Sequence, residues 1–183
     1  MALMAGNPPE PPVEEVETIE PTRVLIGSPI GRLAIEFQET IVTRVIIQPS
    51  RSEAQHYKSL DKIELTDFLL EALGRFSEHL AGLRTSVELD IDLGPSGVSG
   101  LTKRVLKETC RVPYGRTWTY SRIAEVSGRP GGYRLVQAAL AINPIPILIP
   151  CHRVVPSKGG VGAYIGGTKK KEKLLRIEAR SQG

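Results

Sequence analysis

Three prolines punctuate one apolar stretch, Asn143-Pro144-Ile145-Pro146-Ile147-Leu148-Ile149-Pro150, and they constrain the fold more than any other feature of the chain. Proline fixes φ and has no N–H to donate, so this stretch can be neither a regular helix nor a central strand. Its isoleucines and leucine nevertheless call for burial. What remains is a rigid, irregular, buried arm that carries the next residues, Cys151-His152-Arg153, to one fixed place. A free thiol is only about 3% thiolate at pH 7, so a nucleophilic cysteine needs a base or a positive neighbour. His152 and Arg153 offer both, although adjacent side chains diverge, which points to a water bridging His152 and the sulfur. Core packing is the competing reading of an isolated Cys or His, and the flanking prolines weigh against it.

With 183 residues the chain can bury one good core or two small ones. No apolar run reaches the roughly 18 residues needed to cross a bilayer, and no basic region followed by an apolar stretch opens the sequence, so a cytoplasmic protein without a membrane partner is expected. Cys110 and Cys151 are too few for a disulfide framework. His56, His79 and His152 are scattered along the chain, so neither a metal nor another cofactor is expected.

Charge is distributed unevenly. Residues 1–100 carry 8 basic and 16 acidic groups, whereas residues 101–183 carry 16 basic and 4 acidic groups, a net of +12. The second half is where a polyanion would bind. Residues 1–22, with five Glu, five Pro and no Lys or Arg, read as a disordered acidic tail.

Short β-branched runs at Arg23–Ser28, Arg32–Phe37 and Ile41–Gln48 predict a small antiparallel meander. Leu65, Phe68, Leu69, Ala72, Leu73, Phe76 and Leu80 then recur at helical spacing, and Val87, Leu89, Ile91 and Leu93 alternate like a half-buried strand. Gly94-Pro95-Ser96-Gly97 closes this unit, giving domains at 23–94 and 95–183. Leu101, Val105, Leu106 and Cys110 share one face of a following helix. Thr119 caps a short helix reaching Val126, and Tyr133–Ile142 forms another after a glycine-containing turn, resembling a helix-turn-helix with a long turn.

Pro150-Cys151-His152-Arg153-Val154, preceded by Asn143-Pro144, resembles the active-site motif of the O6-alkylguanine-DNA alkyltransferases. The resemblance covers about residues 99–180, including Val112-Pro113-Tyr114-Gly115, Tyr120, Arg134 and the segment Gly162 to Gly167. It implies an α/β fold of the α+β kind, in which a ribonuclease-H-like domain precedes a mostly helical domain with a helix-turn-helix. The implied activity is direct-reversal DNA repair by a self-inactivating alkyltransferase. An alkyl group passes from O6-alkylguanine, or O4-alkylthymine, in double-stranded DNA to the cysteine, after the nucleotide is flipped out. The protein would act as a monomer associated with the nucleoid.

On this resemblance Cys151 is the alkyl acceptor, His152 takes its proton through water and Glu178 orients the imidazole. Tyr120 protonates N3 of the leaving guanine, and Asn143 holds the proline-rich turn. Arg134 fills the space left by the flipped nucleotide, while Ala138 and Ala139 allow close approach to the minor groove and Arg153 adds a DNA contact. Pro146, Val154, Tyr164, Ile165 and Gly166 form the substrate pocket. Ile165 stands where the family commonly has serine, which adds bulk beside O6.

Blander readings accompany these roles: Tyr120 as a core aromatic, Glu178 and Arg134 as solvated surface charges, and Lys169-Lys170-Lys171 as an exposed helix start. Rival functions are a non-catalytic lesion binder, a helix-turn-helix regulator and a thiol protease. The first lacks an acceptor cysteine, the sensor form of the second needs a metal-binding cysteine module, and the third needs Cys and His well separated in sequence.

Overall fold

The computed structural model describes residues 20–181, so most of the acidic tail expected at 1–22 lies outside the described residues. Strands β1 (Thr22–Ile26), β2 (Leu33–Gln38) and β3 (Ile41–Ile47) form the antiparallel meander. Ser28 closes the first turn, its hydroxyl donating to the Gly31 carbonyl at 2.6 Å. Gly31 is suited to this place because its φ of 109° is one that side chains rarely tolerate. A two-residue strand that the sequence does not announce, β4 (Lys58–Ser59), pairs parallel with β1 and gives the order β3-β2-β1-β4. Between β3 and β4, α1 (Arg51–Ala54) is a single turn capped by Ser50 and Glu53.

Helix α2 (Asp67–Ala81) starts at Thr66, whose hydroxyl accepts from Leu69 N, and ends at left-handed Gly82. Its inward stripe of Leu69, Leu73, Phe76 and Leu80 joins the core of the sheet, where Phe68 meets Phe37 edge to face at 5.8 Å. Full burial of each such side chain is worth roughly 1.5–3 kcal/mol.

The strand expected at Val87–Leu93 is not formed. Glu88 turns to φ 52°, which breaks an extended run, and only Ile91 bridges to Val42 of β3. The alternation reflects a coil laid along the sheet edge, held by Val42 N to Asp90 O and Asp92 N to Val42 O.

Helix α3 (Gly100–Cys110) is capped by Ser99. Its buried face is Thr102, Val105, Leu106 and Thr109, so Cys110 is exposed and not the core residue its spacing suggests. Thr109 can sit inside because its hydroxyl donates to Val105 O at 2.8 Å. The helix-turn-helix consists of α4 (Tyr120–Val126), capped by Thr119, and α5 (Tyr133–Ala141), with Gly128 and Gly131 at positive φ in the turn. β5 (Trp118–Thr119) and β6 (Val154–Val155) pair in parallel, and α6 (Thr168–Arg180) closes the fold. Ser181 Oγ donates to Gly82 O and Val45 N to Pro144 O, so one apolar core runs through both halves. Among the described residues, no helix is long and apolar enough to cross a membrane.

Candidate active site

The proline-rich arm runs through the core with Ile145, Ile147 and Ile149 almost fully buried. Asn143 organises it. Its Oδ1 accepts from Ile145 N at 3.1 Å, and its Nδ2 donates to Ile149 O at 3.0 Å and to the Cys151 sulfur at 3.1 Å. Pro150 then leads into a tight 3-10 turn at Cys151–Arg153. Burial pushes the Cys151 thiol up to about 11, against the Asn143 hydrogen bond and the charge of Lys171. At neutral pH the sulfur therefore carries its proton and needs a base.

The histidine next to it is positioned by α6. His152 is fully buried, and its Nε2 lies 2.7 Å from Glu178 Oε1. A carboxylate only accepts, so Nε2 carries the hydrogen and Nδ1 presents its lone pair; Nδ1 has no hydrogen-bond partner among the described residues. Glu178 also accepts from Arg153 Nε at 3.0 and 3.1 Å and from Gly115 N at 3.0 Å. Burial alone would raise the Glu178 pKa, but these donors and charges hold it at about 2. Arg153 answers the carboxylate charge, while burial lowers the pKa of His152 and keeps the imidazole neutral.

Arg153, expected as a DNA contact, faces inward. It is 6% exposed, donates to Val112 O at 2.9 Å and lies over the Tyr114 ring, so its guanidinium is engaged inside the fold. Glu178 is likewise no surface residue, at 3% exposure.

Cys151 lines a cavity of about 630 Å³ with Tyr120, Tyr164 and Ile165. Gln137, Ala138, Leu140 and Ala141 of α5 and Ala163 complete the wall. Tyr120 and Tyr164 both have raised hydroxyl pKa values, through burial and proximity to Cys151, and so remain donors. Of the other expected pocket residues, Pro146 lines a neighbouring groove, Val154 is buried in β6 and Gly166, although part of the lid segment from Ala163 to Gly167, does not line the cavity.

Beside the cavity, α5 exposes Arg134, Gln137, Ala138 and Ala141, one stripe at i, i+3, i+4 and i+7. Ala139, expected on this face, points into the core at 6% exposure because it lies a third of a turn away.

One functional candidate escapes the sequence. Lys171 is fully buried, donates to Val154 O at 2.6 Å and Ala163 O at 3.2 Å, and faces the Tyr120 ring. It ties the end of the cysteine segment to the start of the lid. Burial lowers its pKa to about 8. The Lys169-Lys170-Lys171 run conceals it; the signal is its i, i+3, i+7 spacing with buried Leu174 and Glu178.

Comparison with known proteins gives the same direction. Residues 100–180 match the family model described as the DNA-binding domain of 6-O-methylguanine DNA methyltransferase. The chain is 36% identical to a methylated-DNA–protein-cysteine methyltransferase of Methanosarcina barkeri, over 84% of this chain and 94% of that protein. It is 32% identical to one from Mycolicibacterium paratuberculosis, over 85% and 90%. The structure of Mycobacterium tuberculosis O6-methylguanine methyltransferase superposes with a TM-score of 0.75 at 29% identity, covering 88% of this chain and 94% of that one. The mycobacterial protein in complex with DNA gives 0.75 at 30%, over 87% and 94%. With sequence and fold matched across most of its length, the chain belongs to the methylated-DNA–protein-cysteine methyltransferase family.

Proposed function

We propose that the protein repairs DNA by direct reversal, moving the alkyl group of O6-alkylguanine onto Cys151 in one irreversible turnover. The observation that carries this reading is the placement of a buried, protonated Cys151 at the wall of a cavity, beside a neutral histidine held by an anionic glutamate. His152 Nδ1 takes the thiol proton through a water. Asn143 and the Lys171 charge stabilise the thiolate as it forms. The sulfur attacks the alkyl carbon, an S–C bond forms and the O6–C bond breaks, its electron pair staying with the base. Tyr120 delivers a proton to N3, and the proton removed from sulfur balances the one the base gains. The resulting thioether has no hydrolytic partner in the site, so one event consumes the protein.

DNA is the partner. The stripe of Arg134, Ala138 and Ala141 fits the minor groove of a duplex, where small residues allow close approach and Arg134 replaces the extruded nucleotide. In this reading a monomer binds, residues 95–183 carry DNA recognition and catalysis, and residues 23–94 form the ribonuclease-H-like unit behind the site. Cys151→Ser tests the assignment. It should abolish methyl uptake from a duplex containing O6-methylguanine while duplex affinity stays within about twofold, because the hydroxyl is a far weaker nucleophile near pH 7. Methyl uptake by this variant at the parent rate would refute the mechanism.

A further inference from the structure

Strand β3 of the amino-terminal sheet reaches both the arm that carries Cys151 and the segment that carries Ile165. Val45 N donates to Pro144 O at 2.9 Å, at the root of the arm that carries the cysteine. Two residues on, Ile47 meets the opposite wall, the lid that runs from Ala163 to Gly167. A Cβ placed on Gly166 would stand 3.1 Å from both Cδ1 and Cγ2 of Ile47, and 2.9 Å from Tyr164 Cε1. Gly166 is not among the glycines at positive φ, so space and not backbone conformation demands glycine here. That space is shared by the neighbouring Tyr164 ring and by Ile47, a residue some 120 positions earlier in the chain.

Lys171 fixes the lid at Ala163, and Gly167 N closes a turn onto Tyr164 O at 2.9 Å. Ile47 is the contact from behind. Between these supports sits Ile165, 46% exposed, which lines the cysteine cavity on one side. On its other side Ile165 lines a groove of about 790 Å³ that Ile47, Pro144 and Pro146 share. Ile165 therefore stands between two open volumes, and Ile47 lines the one behind it.

We propose that Ile47, pressed against Gly166, is a positioning residue that determines substrate specificity, holding Ile165 over Cys151 and so limiting the size of the O6 substituent. This rests on the alkyl-transfer reading above. Close-packed contacts resist displacement, and one methylene of misfit in an apolar pocket is enough to change a rate by tenfold or more.

The test is the ratio of second-order rates for free O6-benzylguanine and O6-methylguanine, read as adduct on Cys151. Ile47→Ala should raise the benzyl-to-methyl ratio by about fivefold or more, because the lid can withdraw toward the groove. A change in folded fraction scales both rates together and leaves the ratio alone, so loss of stability cannot imitate this result. Gly166→Ala should slow both reactions, and adding Ile47→Ala should restore the part of that loss due to Ile47, while Tyr164 Cε1 still stands 2.9 Å from the added methyl. A ratio within twofold of the parent, or additive effects in the double variant, would overturn the proposal. Absence of any adduct on Cys151 in the parent would instead overturn the alkyl-transfer reading itself.

Discussion

Glu178→Gln should cost the fold about 3–5 kcal/mol. The carboxylate receives His152 at 2.7 Å, Arg153 at 3.0 and 3.1 Å and Gly115 at 3.0 Å, all donors. An amide can offer one oxygen to them, and its NH2 must then face another donor. Arg153 keeps its charge at 6% exposure with only the Val112 carbonyl and the Tyr114 ring for company. Removing one member of a buried pair costs about 3–5 kcal/mol. The depressed pKa agrees, since a fall from 4.5 to about 2 corresponds to about 3 kcal/mol of preference for the anion in the folded site. Against a total stability of about 5–15 kcal/mol this is a large share. Urea unfolding at pH 7 measures it without adding salt that screens charges. Adding Arg153→Met to Glu178→Leu should be less destabilising than Glu178→Leu alone, because no unpaired charge then remains buried, although Gly115 N and His152 Nε2 still lack an acceptor. A loss below about 1 kcal/mol, or a double variant no more stable than Glu178→Leu alone, would refute the pairing described here.

His79 gives the pH dependence of stability. Burial first, and then the Arg153 charge, lower its pKa from 6.5 to about 4, so the unfolded chain takes up the proton before the folded one. The contribution is therefore complete above pH 6.5 and fades as pH falls toward 4, by up to about 3 kcal/mol. Because Nδ1 donates to Arg84 O, His79→Asn should keep that bond and flatten the profile; an unchanged slope would contradict it. Arg134→Ala should slow repair within duplex DNA at least about tenfold more than reaction with free O6-benzylguanine, since only the duplex requires extrusion; equal losses would place Arg134 in pocket support instead.

The arm and its cargo are legible in the sequence because proline is unambiguous: no regular element tolerates Pro144, Pro146 and Pro150 so close together, and Asn143 and Cys151 sit at its two ends. The meander and α2 are legible through periodicity alone. Errors arise where a side chain's partner lies far away in sequence. Arg153 reads as a DNA contact and Lys171 as part of an exposed helix start until Glu178 and the carbonyls of Val154 and Ala163 come near them. Cys110 and Thr109 exchange places because a hydrogen bond to the preceding turn makes threonine acceptable inside. Ala138 and Ala139 are alike in type, and only the helix phase separates the exposed one from the buried one. The Val87–Leu93 alternation misleads because a single positive φ at Glu88 interrupts the ladder. The Ile47 contact with Gly166 carries no local signal at all, since it joins the two halves of the chain.

The most direct measurement is the intact mass of the unaltered protein after incubation with a duplex containing one O6-methylguanine, followed by peptide mapping. The expected result is a stoichiometric gain of one methylene per protein, located on Cys151, with guanine restored in the DNA. A mass that does not change while the duplex stays methylated, or a methyl group found on exposed Cys110, would contradict alkyl transfer to the buried thiol.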